Sequence, residues 1–221
     1  MIGLISDIHG NYEALKVVLQ RLDSMNVTDI VCMGDVVGYY SQVNECCDEL
    51  RKRNIRSVMG NHDYYMANNE RCPRSQSVND CLEYQRKVIT KENLEWVKSF
   101  PDHMEYKGLN IVHGGWMDHI DEYLEPNEAY FSKLGNGYYV SGHNHVQCLL
   151  ELKDGGYCNP GSVGQPRDGD NRAAFAVFNE GEFELYRVEY DYETVGRLMD
   201  AAGFNPYYYG CLRDASKRLH V

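Results

Sequence analysis

The 221-residue sequence is short of several things. No apolar run approaches the ~20 residues of a membrane span, so no membrane partner is expected. Positive charge is scarce: 22 Lys and Arg face 33 Asp and Glu, for a formal net charge of −11 and a pI of about 5.1. A chain of that sign has no general electrostatic hold on nucleic acid or an anionic surface. Double-stranded nucleic acid is therefore excluded as a partner, and a phosphate could be held only where positive charge is supplied locally.

The eight cysteines contain no C-x-x-C, and Cys46 and Cys47 are neighbours, an awkward start for a disulfide framework. Reduced cysteines in a cytoplasmic protein follow. The opening "MIGLISD" lacks a basic segment and a long apolar one, so no signal peptide is expected. Also missing are repeats, low-complexity tracts and Pro- or Ser-rich linkers, which leaves residues 1–221 as one domain. A chain of this length buries roughly 70% of its unfolded surface. It needs no disulfide or metal to fold, so a metal would serve function.

What is there begins with periodicity. "MIGLIS" reads as a buried strand, and "NYEALKVVLQRLDSM" has apolar residues at helical spacing (Leu15, Val18, Leu19, Leu22). "TDIVCMGD" and "NIRSVMGN" read as strands around the helix "SQVNECCDELRKR". This alternation implies an α/β fold with parallel strands and crossover helices. Residues 68–100 read as loop followed by helix, with Asn79 or Asp80 expected to cap the first helical piece. Thr90 caps the second, and Pro101 lies beyond its end. The second half turns to hairpins in "HMEYKGLNIVHGG", "GYYVSGHNHVQCLLELKDGGYCNPGS" and "AAFAVFNEGEFELYRVEY". "DYETVGRLMDAAG" closes as a helix with Gly203 near its C-cap.

Five histidines lie in short Gly-marked stretches where apolar runs stop: "SDIHG", "MGNHD", "VHGG" and "SGHNH", joined by "MGDVVG". In open α/β sheets the carboxyl ends of strands share a rim where ligands bind. Asp7 and His9 are two apart, so on an extended strand end they face the same way, as do His143 and His145. A D-x-H alone is ordinary; the whole set in order is not. Imidazole, carboxylate and amide suit divalent Mn, Fe, Co, Ni or Zn, and no cysteine in these stretches points to a thiolate zinc site. The candidates exceed what one tetrahedral ion uses, whereas two ions about 3.5–4 Å apart sharing a carboxylate would use them all.

The ordered set D-x-H, G-D, G-N-H-D, H and G-H-x-H resembles the calcineurin-like metallophosphoesterases. "GDVVGYY" and "NPGSVGQPRDGD" look like its small prokaryotic phosphodiesterase and diadenosine tetraphosphatase-like members. The resemblance implies a four-layer α/β/β/α sandwich. It implies two divalent ions, manganese first, with iron, nickel, cobalt or zinc as alternatives. One would sit on Asp7, His9, Asp35 and His145; the other on Asp35, Asn61, His113 and His143. It further implies hydrolysis of a small phosphodiester, nucleotide or phosphomonoester by a metal-bridging hydroxide, with His62 facing the substrate as proton donor and Asp63 orienting it. Two ions would leave the site slightly positive, the local charge that the composition lacks. Many relatives read G-D-x-x-D where Gly38 stands here. A protein phosphatase and a non-catalytic scaffold of the same fold are the alternatives; the full ligand set with His62 argues against the scaffold.

Secondary features remain open. Arg167 either grips phosphate with two parallel hydrogen bonds or is a loop arginine paired with Asp168 or Asp170. Asn159 and Ser162 serve the turn itself. Tyr39–Tyr40, Tyr64–Tyr65 and Tyr138–Tyr139 either pack or stack on a nucleobase. Trp116 and His119 lie near His113 in sequence; His103 and His220 have no assigned role.

Overall fold

A computed structural model describes residues 1–216; His220 lies outside them. The first sheet has the order β10-β9-β1-β2-β3 and the second β4-β5-β6-β8-β7. In the first, β1 (Ile2–Ile5), β2 (Ile30–Cys32) and β3 (Arg56–Ser57) run parallel, and β9 (Ala173–Asn179) and β10 (Glu182–Val188) add an antiparallel hairpin. In the second, β5 (Leu109–Val112), β6 (Gly137–Val140) and β8 (Gly155–Pro160) are parallel. Antiparallel edges close it, β4 (His103–Tyr106) and β7 (Gln147–Leu152).

Side-chain alternation along the strands builds the layers. Ile2 and Leu4 of β1, Val31 of β2 and Ala176 of β9 face Ile111, Val140 and Cys158 of the second sheet, forming the inner core. The alternate residues Ile5, Ile30, Cys32, Phe175 and Val177 face outward onto helices. These are α1 (Tyr12–Ser24), α2 (Val43–Lys52) and α7 (Tyr192–Ala201). Cys46 and Cys47 lie in the buried stripe of α2, which explains their adjacency without a disulfide. On the far side, Tyr139 and Tyr157 pack with Leu124 and with Phe131 of α6 (Glu128–Phe131). Trp116 joins them. The layers are α/β/β/α. Among the described residues no helix is long and apolar enough to cross a membrane.

Three local expectations differ from the structure. "GNHD" opens a short helix, α3 (Asn61–Ala67), instead of ending a strand. The helix α4 (Gln76–Val88) starts earlier than read, and Ser75, not Asn79 or Asp80, accepts from the Val78 amide to cap it. Asn79 is buried and instead binds both the amide and the carbonyl of Cys72. Thr90 caps α5 (Lys91–Lys98) as expected, and Gly203 takes φ 89° just past α7.

Candidate metal centre

The strands stop short of the chemistry. β1 ends at Ile5, yet Asp7 and His9 lie beyond it with φ of 53° and 52°. Asp35, His143 and His145 share the left-handed region, at 54°, 66° and 59°. This corrects the extended D-x-H and H-x-H geometry: each side chain is aimed by a left-handed turn after the strand. Such backbone costs roughly 1–3 kcal/mol per non-glycine residue and persists only where the surroundings hold it. Interlocked amides hold it here, with Asp7 N donating to Gly34 O, His9 N to Asp35 O and His143 N to Asp7 Oδ2. Gly60 lets the G-N-H-D turn close on this loop; a Cβ there would lie 2.1 Å from Asp35 Oδ1.

Seven side chains from the ends of both sheets converge and are buried: Asp7, His9, Asp35, Asn61, His113, His143 and His145. In three of the four rings, those of His9, His113 and His145, the second nitrogen fixes the tautomer. His9 Nδ1 binds the Val37 carbonyl at 3.0 Å, His113 Nδ1 that of Met33 at 2.7 Å, and His145 Nδ1 that of Gln165 at 2.6 Å. A carbonyl only accepts, so each Nδ1 carries a proton and each Nε2 turns inward. There His9 Nε2 and His145 Nε2 lie 3.0 Å apart, and Asp7 Oδ1 is 3.8 and 3.1 Å from them. His113 Nε2 stands 3.2 Å from His143 Nδ1. Asp35 Oδ2 lies between the two groups, 3.6 Å from His9 Nε2 and 3.5 Å from His113 Nε2.

At His9, His145 and Asp7 lone pairs point at one another, and a cation among them relieves the repulsion. Asp7 Oδ1, Asn61 Oδ1 and His143 Nε2 are buried without a hydrogen-bond partner. Residues of these types in this arrangement fit divalent metal. The electrostatics agree. Burial pushes the Asp7 carboxyl up, but the His145 imidazole beside it prevails and holds it at about 2. Asp35 is likewise held well below the carboxylate range, burial being outweighed by His113 and His62. For His113, burial is overcome by the Asp35 charge, raising it to about 10. The field that would draw a metal draws a proton.

Asp63 departs from its expected role. Its carboxylate accepts from the amides of Asp35, Val36, Val37 and Gly60 and forms no hydrogen bond to His62. As the third residue of α3 it faces back toward the helix start, so it clamps the loop that carries Asp35. His62 Nδ1 has no hydrogen-bond partner and stands against Gly38, where a Cβ would lie 2.2 Å away. The ring is held by packing, 4.7 Å from His9 and 4.8 Å from Tyr39 between centroids. Its Nε2 is 4.0 Å from Asp35 Oδ2. Burial lowers its pKa to about 4.

Arg167 enters this site. Its guanidinium donates to Tyr39 Oη at 3.0 Å and to Gln165 Oε1 at 2.8 Å, and among the described residues it has no carboxylate partner. Asp168 pairs with Arg187 and Asp170 with Arg172 instead. Ser162 does more than serve its turn: its hydroxyl donates to Asp7 O while accepting from Gln165 N. Asn159 ties its turn to Gly142 O.

Two participants were missed from sequence. Gln85 of α4 is fully buried, accepts from Gly38 N, and donates to Gly38 O and Tyr40 O. A lone glutamine on a polar helix gives no signal. Tyr123 lies 4.1 Å from His143, ring to ring, beside the bidentate Arg74–Asp121 pair.

A buried imidazole–carboxylate cluster where two stacked sheets end together in an α/β/β/α sandwich defines the class: a protein whose site has the chemistry of a metal ligand set. The model of the calcineurin-like phosphoesterase superfamily domain matches residues 1–182, and the chain belongs to that family. It is 38% identical to an uncharacterized protein of Methanocaldococcus jannaschii, across 86% of this chain and 88% of that one. It is similar to a metallophosphoesterase from Sphaerobacter thermophilus, 30% identical with a TM-score of 0.83 across 97% of this chain and 98% of that one. A hypothetical protein from Pyrococcus horikoshii shares the fold, at 18% identity and a TM-score of 0.86 across 99% and 100%. Membership of the family implies divalent metal ions.

Proposed function

We propose that this chain is a dinuclear metal-dependent phosphoesterase that hydrolyses a small phosphate ester. The carrying observation is the inward-turned set of Nε2 atoms around Asp7 and Asp35, locked as acceptors by three backbone carbonyls. One ion would be held by Asp7, His9, Asp35 and His145, and the other by Asp35, Asn61, His113 and His143. The nearly equal distances of Asp35 Oδ2 from His9 and His113 support its sharing between them. When bound, two such ions, manganese or its neighbours iron, nickel, cobalt and zinc, supply the Lewis acidity and water activation that attack on phosphorus needs.

The chain's own residues do the rest. His62, kept neutral by burial, presents an N–H as a hydrogen bond to the leaving oxygen as charge develops there, and the leaving oxygen takes its proton from water. Asp63 acts through the backbone, fixing the loop of Asp35. Arg167, already fixed against Tyr39 and Gln165, offers its remaining N–H groups to a phosphate oxygen. A cavity of about 310 Å³ adjoins Asn61 and is walled by Tyr64, Tyr65, Asp118, Ile120 and Asp121. It has room for the organic part of the ester, and the Tyr64 ring suits a nucleobase.

His62→Ala is expected to keep its metal content, read by elemental analysis, while losing roughly 10²–10⁴ in turnover. Loss of metal, or undiminished turnover, overturns the assignment. A panel with Mn²⁺ would compare bis(p-nitrophenyl) phosphate, p-nitrophenyl phosphate, cyclic nucleotides and dinucleoside polyphosphates. If the metal-loaded chain turns over none of them, the scaffold reading replaces this one.

A further inference from the structure

Outside the centre, Asp102, His103 and His119 form a second imidazole–carboxylate group, at the start of β4 and in the turn after β5. His103 Nδ1 donates to Asp102 Oδ1 at 2.7 Å, and His119 Nδ1 lies 3.3 Å from Asp102 Oδ2. The two rings are 5.0 Å apart, and one potential ligand atom from each residue lies within 4.8 Å of the others. Asp102 has no Lys or Arg partner among the described residues. Two imidazoles from separate segments thus converge on one exposed carboxylate. Exposed pairs of this kind contribute little to stability, so stability alone gives little reason for the convergence.

The backbone around the group leads to the centre. Pro101 O, next to Asp102, accepts from Met59 N at 2.7 Å, two residues before Asn61. His119 O accepts from His113 N at 3.1 Å and from Gly114 N at 2.7 Å. In the β4–β5 ladder His103 pairs with Val112, the neighbour of His113. The group therefore sits behind the segments that present Asn61 and His113. Its turn continues into Ile120 and Asp121, which wall the cavity beside Asn61.

We propose that Asp102, His103 and His119 form a peripheral site for one divalent ion of the zinc type. Two imidazoles and a carboxylate are the ligand set such an ion takes. The side chains of Asp102 and His103, 57% and 61% exposed, leave water free to complete the coordination. An ion there would tie residues 101–103 to the turn 114–122 and stiffen the support of Asn61 and His113. This site stands or falls independently of the phosphoesterase reading.

The test is equilibrium dialysis of the full chain against Zn²⁺, with zinc counted per chain by elemental analysis. The wild type is expected to hold one zinc more than the His103→Ala/His119→Ala double variant, both keeping the same inner complement. Equal counts overturn the site. Should the double variant fold poorly, Asp102→Asn keeps the shape and removes the anionic ligand. It is expected to weaken that zinc roughly tenfold or more, and unchanged affinity also overturns the site. Hydrogen exchange supplies a further readout: zinc added beyond the inner complement slows the amides of 115–122 in the wild type and not in the double variant.

Discussion

At the scale of the residue, protonation separates the histidines of the centre. His9 is driven well below its ordinary value by burial and by His62, and burial likewise lowers His143 and His145. His113 alone moves up, to about 10, because the Asp35 carboxylate outweighs its burial. Below that value the metal-free chain therefore keeps one histidinium in the cluster, and a ligand histidine must be neutral. We expect nitrogen-15 spectra of the imidazoles in chelator-treated protein to show a single inner histidinium persisting at about pH 8, His113, and to lose it when divalent metal is added. A neutral His113 in the metal-free chain at that pH would sink the charge assignment. The residue scale is also where sequence reading was least complete. The roles of Asn61, His62 and Asp63 came from resemblance, and Asp63 proves to bind four amides instead of its neighbour. Three adjacent residues look alike in sequence; the first turn of α3 sends their side chains to three places.

At the scale of the element, period-two and period-3.6 patterns carried most of the fold, because burial on opposite faces writes directly into the sequence. What the patterns could not carry is where strands stop. β2 and β3 are three and two residues long, since the chain leaves the sheet to build the site. Nor did the polar segment 68–100 show its task. Through Gln85, α4 grips the loop of Gly38, Tyr39 and Tyr40 from beneath, and on that loop rest the His62 ring and the Arg167 guanidinium. Gln85→Leu removes the side-chain hydrogen bonds to Gly38 N and Tyr40 O, at about 1–3 kcal/mol each before relaxation, while Gly38 O keeps Tyr40 N. A loss of roughly 2–5 kcal/mol in denaturant unfolding is expected, with turnover falling further than metal content. A variant as stable as the parent, or one that loses metal first, would show that α4 merely covers the loop.

At the scale of the whole molecule, the centre is the place where the two sheets are joined by chemistry as well as by packing. Asp7, His9 and Asp35 come from loops that follow β1 and β2, and Asn61 opens α3 after β3; His113, His143 and His145 follow β5 and β6. Ions shared between these sets would cross-link the sheets at one end, while the inner core of Leu4, Val31, Ile111 and Val140 joins them along their length. The core does not depend on the ions, so removing metal should loosen the molecule without unfolding it. Binding to the native state alone stabilises it by about 2.7 kcal/mol when free ion is a hundredfold above Kd. For a chain of this size that corresponds to roughly 5–10 °C in Tm. We therefore expect chelator-treated protein to keep its far-ultraviolet circular dichroism and a cooperative melt, with Tm lowered by that amount and restored by Mn²⁺ in a concentration-dependent way. Collapse of the spectrum on chelation would make the metal structural, and a Tm indifferent to both chelator and Mn²⁺ would mean that the seven side chains hold no ion between the sheets. The sign of the response follows from the cluster itself: Asp7 Oδ1 and the Nε2 atoms of His9 and His145 lie 3.0–3.8 Å from one another and gain a cation to share.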